Sequence, residues 1–379
     1  QRLGILLSGG LDSRTVLSAA ERGRISTAFT IADYHNRELQ AAGKLAAMHG
    51  CRHVPLWRDL DHYLRMVAEA VAIGDGMYSC NHAHNLGFFD IIREHADILL
   101  HAVGFDWLFK TYLIPLKQRT LLGHTMTVPV ADILENVSPE EIIWKILGNS
   151  MIEISRNMFN MRAEEVTALT RASVESLYRD PIAPEIVREA RKTSAYLSYI
   201  LDARQFGDYF HVIHNRAYMD ERTVSFDNGL VDLALSMPTS LKIAGRLIKG
   251  VLPRISLRAA LVTNANTGLP AATPPWLESF LLALEPTGRK WVFRPEPPPH
   301  PAFTTGSWPN YPELIRHNQK LSHLMLATIE EEECLDSRVF NLDRVREIFF
   351  DHMDGGKDYS EMLFLLLTFG RWRKEYASA

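Results

Sequence analysis

The residues best equipped for chemistry lie at the start of the chain, in Leu7-Ser8-Gly9-Gly10-Leu11-Asp12-Ser13. Residues 3–7 form an apolar run that reads as a buried strand, and residues 11–22 have helical spacing. Between them, two glycines allow a tight turn and a close backbone approach to an anion. The turn's N–H groups and the positive end of the helix dipole would then favour a phosphate. Ser8 and Ser13 add hydroxyl donors. Asp12 would repel a phosphate unless a cation stood between them, so it implies Mg²⁺. The plainer reading of the string is a Gly-Gly turn with Asp-Ser capping a helix. The strand–turn–helix setting favours the phosphate loop. A Walker loop and a GxSxG elbow are both absent from the sequence. A second polar cluster, Asn81-His82-Ala83-His84-Asn85, has an HxH spacing but no third or fourth ligand beside it. It reads as a loop facing an acceptor substrate. Arg289, Lys290 and Arg294 with Trp291 and Phe293 could stack on nucleic acid, but a solvated loop accounts for them better.

These residues need a frame. The chain has 379 residues, 46% hydrophobic and 23% charged, which fits a globular protein of two domains or one large α/β domain with an appendage. The net charge of −4 argues against a nucleic-acid footprint. The three cysteines, Cys51, Cys80 and Cys334, are far apart and fit a reducing, cytoplasmic setting. No apolar run is long enough for a membrane span, and the longest, near residues 362–369, reads as a buried helix. The chain opens directly on its first strand without an initiator Met, from which a further segment upstream is expected.

Strands are expected over 3–7, 26–31, 53–56 and 97–102, and helices over 11–22, 37–49, 59–72 and 86–95. Such alternation predicts an α/β fold, a parallel sheet with helices on both faces. Beyond about residue 112 the pattern turns helical, at 133–147, 163–178, 186–206 and 230–235. Residues 285–311 hold seven prolines and read as a long loop, and helix returns over 342–376. The expected organisation is a core at 1–125, a helical region at 126–284, the proline-rich loop at 285–311 and a helical segment at 312–379.

The Ser8–Ser13 string resembles the PP-loop of the ATP pyrophosphatases, which include the asparagine, GMP and NAD synthetases. Later stretches resemble the asparagine synthetase branch. Phe29-Thr30-Ile31, then Asn36-Arg37-Glu38, Ala41, Ala46-Ala47, Gly50 and His53, is similar to its second βα unit. His101-Ala102-Val103-Gly104-Phe105-Asp106-Trp107-Leu108-Phe109 resembles its SGEGADELF loop, matching at Gly104, Asp106, Leu108 and Phe109. His101 stands for a serine there, Ala102 for a glycine, and Val103 and Trp107 for glutamates. Asp220 to Asp232 resembles an ExRxPFxDxxLV block, with Arg222, Asp227, Leu230 and Val231 matching. Residues 247–252 resemble the segment that carries a catalytic lysine, here Lys249, with Lys242 and Arg246 as nearby competitors. Asn264 to Pro270 is similar to a stretch of asparagine synthetase-like proteins associated with cell-surface polysaccharide clusters.

The resemblance implies an adenine nucleotide α-hydrolase-like fold with a helical C-terminal region, and ATP and Mg²⁺ as cofactors. It assigns Leu7, Ser8, Gly9, Gly10, Asp12, Ser13, His101 and Gly104 to the phosphates. Thr30 and Ile31 go to the adenine, Asp12 and Asp106 to the metal, and Asp106 and Lys249 to catalysis. It implies an amide-forming ligase: a carboxylate of a small molecule or peptide is activated as acyl-AMP with release of pyrophosphate, and ammonia or an amine then attacks. The expected partners are those substrates, an upstream glutaminase domain and a second copy of the chain as a homodimer, with neither nucleic acid nor membrane. Because Val103 cannot accept a proton, two alternatives stay open. One is a ligase of the β-lactam synthetase or lasso-cyclase kind, using an amine of its own substrate. The other is a nucleotide-binding relative without turnover.

Overall fold

The structure, a computed structural model, describes residues 1–110, 116–121, 124–129, 158–162, 164–169, 172, 209–283 and 297–377. Those within Gln1–Asp59, Gly87–Asn136 and Glu189–Pro309 form one compact unit. Those within Leu60–Leu86, Val137–Arg188 and Asn310–Ala379 form another.

The first unit is built on five parallel strands: β1 (Leu3–Leu6), β2 (Ile25–Ala32), β3 (Arg52–Trp57), β4 (Ile98–His101) and β7 (Asp220–Thr223), in the order β3-β2-β1-β4-β7. Between them run α1 (Asp12–Ala19), α2 (Arg37–His49) and α4 (Phe89–His95), with α5 (Phe105–Phe109) after β4. Side chains alternate across a strand. In β2, Ala28 joins the core with Ala41, Ala42 and Leu45 of α2, while Phe29 stacks on His95 at the end of α4 with centroids 6.5 Å apart. Helices therefore cover both faces, as expected. The local chemistry is ordinary: Asn36 caps α2 by accepting the Leu39 amide at 2.9 Å, and Gly50 ends it at φ 75°.

Two expectations are corrected. A hairpin, β5 (Leu116–Leu121) with β6 (His124–Pro129), stands in the stretch beyond residue 112 that was read as mainly helical, ahead of the first helix expected there. Its strands carry three Thr and one Val, which favour extended backbone, but they are too short to stand out. Residues 220–223, read only as the start of a motif block and not as a strand, form the edge strand β7, paired with β4 from Ile98↔Asp220 to His101↔Thr223. Charges hid it. Edge strands commonly carry charges that blunt pairing, and here Asp220 and Arg222 face out while Glu221 and Thr223 are buried.

The same unit carries α6 (Tyr209–Tyr218), α7 (Asn228–Ser236), α8 (Thr239–Lys242), α9 (Arg246–Ile255), α10 (Leu257–Leu261) and α11 (Pro275–Ala283). The second unit carries α3 (His62–Gly74), α12 (Tyr311–His317), α13 (Gln319–Glu330), α14 (Leu342–Met353) and α15 (Ser360–Trp372). In it, Tyr63, Tyr311 and Phe364 meet edge to face, and the Cys80 amide donates to Thr368 Oγ1 at 2.8 Å. The helical segment expected over 342–376 is two helices, separated at Gly355-Gly356, where Gly355 has φ 79°. The expected helices at 133–147 and 186–206 lie outside the described residues, as do 285–296 of the proline-rich loop. Of 163–178, residues 164–169 are helical.

Candidate active site

In an open parallel sheet the strand order reverses at a switch point, and ligands bind beyond the carboxyl ends of the strands there. Here the reversal lies between β1 and β4. The segments leaving those two ends are Leu7–Ser13 and His101–Lys110, so the two best sequence signals lie at the same end of the sheet.

The first loop holds itself in shape. The Ser8 amide donates to Ser13 Oγ at 2.9 Å, the two serine hydroxyls lie 3.0 Å apart, and the Gly10 amide donates to Ser8 Oγ at 3.2 Å. The Gly9 amide donates to the buried Glu38 carboxylate, which burial pushes up despite its bonds from Ser307 and Gly9. The first three amides of the turn thus have protein acceptors. The positive end offered to an anion is the start of α1, which no side chain caps at Leu11. Gly9 is dictated by contact: a Cβ there would stand 2.6 Å from Ala265 Cβ and 3.1 Å from Glu38 Cα.

One buried residue that the sequence gave no reason to select anchors this loop. Arg14, fully enclosed, donates to the carbonyls of Gly9 (2.8 Å), Ala259 (3.1 Å), Val262 (2.6 Å) and Thr263 (2.9 Å). Burial pulls its guanidinium down to about 10. The Ala265 amide adds a bond to the Gly9 carbonyl at 3.0 Å. The Asn264–Pro270 stretch is thereby seated against the loop.

The two expected metal ligands meet. Asp12 Oδ2 and Asp106 Oδ1 each lie 2.7 Å from the ammonium of Lys110. Burial works against that charge, but the two carboxylates outweigh it and raise the pKa. Gly104 makes the approach possible: at φ 89° it starts α5 in the left-handed region that glycine favours. The donor set tests well for Mg²⁺, which takes one or two carboxylates and completes its shell with phosphate oxygens and water. No group of three or more His, Cys, Asp or Glu suited to a metal occurs among the described residues.

Lys249 is buried on α9 and donates to Glu278 Oε2 of α11 at 2.7 Å. Its neighbours Ile248 and Leu252 pack into the core with Leu11 and Leu17. The helix begins at Gly245, where a Cβ would lie 3.6 Å from Lys110 Cγ and 3.8 Å from Leu11 Cδ1. The start of α9 thus lies beside the stem of Lys110, with Lys249 one turn along. Its competitor Lys242 is enclosed and donates to the Ala234 carbonyl, and burial pulls it down to about 8. Arg246 is exposed.

His101 ends β4 beside His211, with centroids 5.9 Å apart, and its buried Nδ1 has no partner among the described residues. Burial pulls it down to about 4. Leu7, Thr30 and Ile31 are buried. Thr30 donates to the Leu7 carbonyl at 2.7 Å and lies 2.9 Å from His53 Nε2, so its hydroxyl joins strands. Arg222 pairs with Asp220 at the surface, and Asp227 caps α7. The Val103 carbonyl accepts from the Ser225 hydroxyl. His84 lies 3.2 Å from the Tyr63 hydroxyl within the second unit. The sequence reading missed Lys110, Glu278 and Arg14, which are ordinary charged residues until the fold assembles them.

Fold and loop together define a nucleotide-binding α/β domain of the PP-loop kind. The asparagine synthase family model matches residues 1–261, well over half of the chain, and the chain belongs to that family. Its general activity is ATP-dependent amide ligation. No curated protein matches the chain. No described helix is long and apolar enough to cross a membrane.

Proposed function

We propose that the chain activates a carboxylate substrate as an acyl-adenylate at the expense of ATP, releasing pyrophosphate, and joins the acyl group to ammonia or an amine. The observation that carries this is the meeting of Asp12 and Asp106, from loops 94 positions apart in sequence, on one cation beside an uncapped helix start. In this reading Asp12 and Asp106 hold Mg²⁺, which when bound neutralises phosphate charge. The Ser8–Ser13 loop and the start of α1 hold the phosphates. Lys249 stabilises negative charge as the carboxylate attacks and again as the nitrogen attacks. Glu278 holds that lysine from one side. An amine supplied by the substrate itself is a second reading. It is favoured by Val103, whose side chain takes no proton and whose carbonyl is held by Ser225.

The test is pyrophosphate release from MgATP by wild type, Asp12→Ala and Lys249→Ala, with a panel of carboxylates and with ammonia. Release that depends on a carboxylate and disappears in both variants is expected. ATP binding without release under any acceptor would favour a relative without turnover. Product formation only with ammonia would dismiss the substrate-borne amine.

A further inference from the structure

Lys110 immediately follows the stretch that carries Asp106, and nothing about it in sequence suggests a role. In the fold its ammonium lies 2.7 Å from a carboxylate oxygen of Asp12 and 2.7 Å from one of Asp106. The arrangement is not a chance surface pairing. The Lys110 amide donates to the Asp106 carbonyl at 3.1 Å, closing the last turn of α5 so that the two side chains share a face. The stem runs past Gly245, where a Cβ would stand in ordinary contact with its Cγ at 3.6 Å, and the lysine side chain is only 21% exposed. One tethered cation thus stands between the two carboxylates assigned to the metal.

We propose that Lys110 is a built-in counter-cation that occupies the divalent-cation position between Asp12 and Asp106 and makes metal entry depend on nucleotide. Two neighbouring carboxylates without a cation repel each other, and the ammonium holds them together with one net negative charge rather than two. A free divalent ion must displace a tethered group whose effective concentration is far above that of the ion in solution. A nucleotide changes the balance: its phosphates give the ammonium other acceptors and give the metal further oxygen ligands. Lys110 is then a positioning residue for the metal ligands. The nucleotide half of this inference rests on the proposed function; the competition for the carboxylates does not.

The experiment uses the full chain without nucleotide, with Mn²⁺ as probe and the free ion followed by electron paramagnetic resonance. Wild type, Lys110→Gln and Lys110→Met are compared, folding being checked by thermal melting. The methionine variant keeps the aliphatic stem and serves if the glutamine variant does not fold. Both variants are expected to bind Mn²⁺ at least about tenfold tighter than wild type, roughly 1.4 kcal/mol. Adding Asp106→Asn is expected to erase the gain. A merely structural lysine would not raise metal affinity when removed. Variants that fold and bind Mn²⁺ no tighter than wild type would overturn the proposal, as would a gain that survives Asp106→Asn. If pyrophosphate release is intact while the Mn²⁺ gain is absent, the Lys110 role alone fails. If the gain is present without any pyrophosphate release, the ligase reading fails and the counter-cation stands.

Discussion

Replacing Arg14 by Met keeps most of the buried volume and removes every hydrogen bond that ties the phosphate loop to residues 259–263. Hydrogen bonds from a charged donor contribute about 1.5–3 kcal/mol each. Four at the lower end would give about 6 kcal/mol, an upper figure because three of the four carbonyls keep another donor: Gly9 from the Ala265 amide, Ala259 from Val262 and Val262 from Ala271. Burying the guanidinium offsets part of this, since its pKa falls from 12.5 to about 10, an opposing effect of about 3 kcal/mol. The net loss expected for Arg14→Met is therefore about 3 kcal/mol, read as a shift in the urea midpoint of the full chain. Arg14→Lys, which reaches fewer carbonyls, should fall between. ATP binding should weaken by at least about tenfold, about 1.4 kcal/mol, because the Gly9 carbonyl loses one of its two donors. A loss under about 1 kcal/mol, with unchanged nucleotide affinity, would refute the view that this guanidinium sets the loop's shape.

Gly9→Ala puts a methyl 2.6 Å from Ala265 Cβ; it should destabilise by about 1–3 kcal/mol and abolish ATP binding, and the added change Ala265→Gly should restore part of both by titration calorimetry. Lys249→Ala should lower the rate of pyrophosphate release about 10²–10³-fold, as loss of a charge-stabilising donor does; Glu278→Gln should have a smaller effect on the same assay, and an equal loss in both would mean the ion pair is purely architectural. His101 has its pKa depressed from 6.5 to about 4, so the unfolded chain binds the extra proton first and stability falls as pH drops from about 6.5 to about 4. His101→Gln should flatten part of that acid loss in melting temperatures measured across this window, and a variant with the wild-type acid slope would exclude the contribution.

Much of the frame was legible beforehand because its signals are local. The helix expected at 37–49 is α2, bounded by Asn36 at one end and Gly50 at the other, and the buried strand at residues 3–7 leads straight into the glycine turn. The apolar run at 362–369 lies in α15 with Leu363, Phe364 and Leu367 enclosed. Residues 220–223 were not legible as a strand. Four residues with three charges carry no alternation of hydrophobicity, and only their pairing with β4 makes them β7.

The sequence by itself marked the loop at Ser8–Ser13: two glycines, two serines and an aspartate between a strand and a helix are a local pattern, and local patterns survive in one dimension. It also marked Asp106 and Lys249, through the stretches around them. The tertiary structure decided which charges meet. Lys110 bonds Asp12 across 98 positions, Glu278 takes Lys249 across 29, and Arg14 gathers carbonyls from 245 to 249 positions away. A charged side chain carries no mark of its partner along the chain. Its role is set by where sheet order and helix packing bring the other charge, and by how little water is left between them.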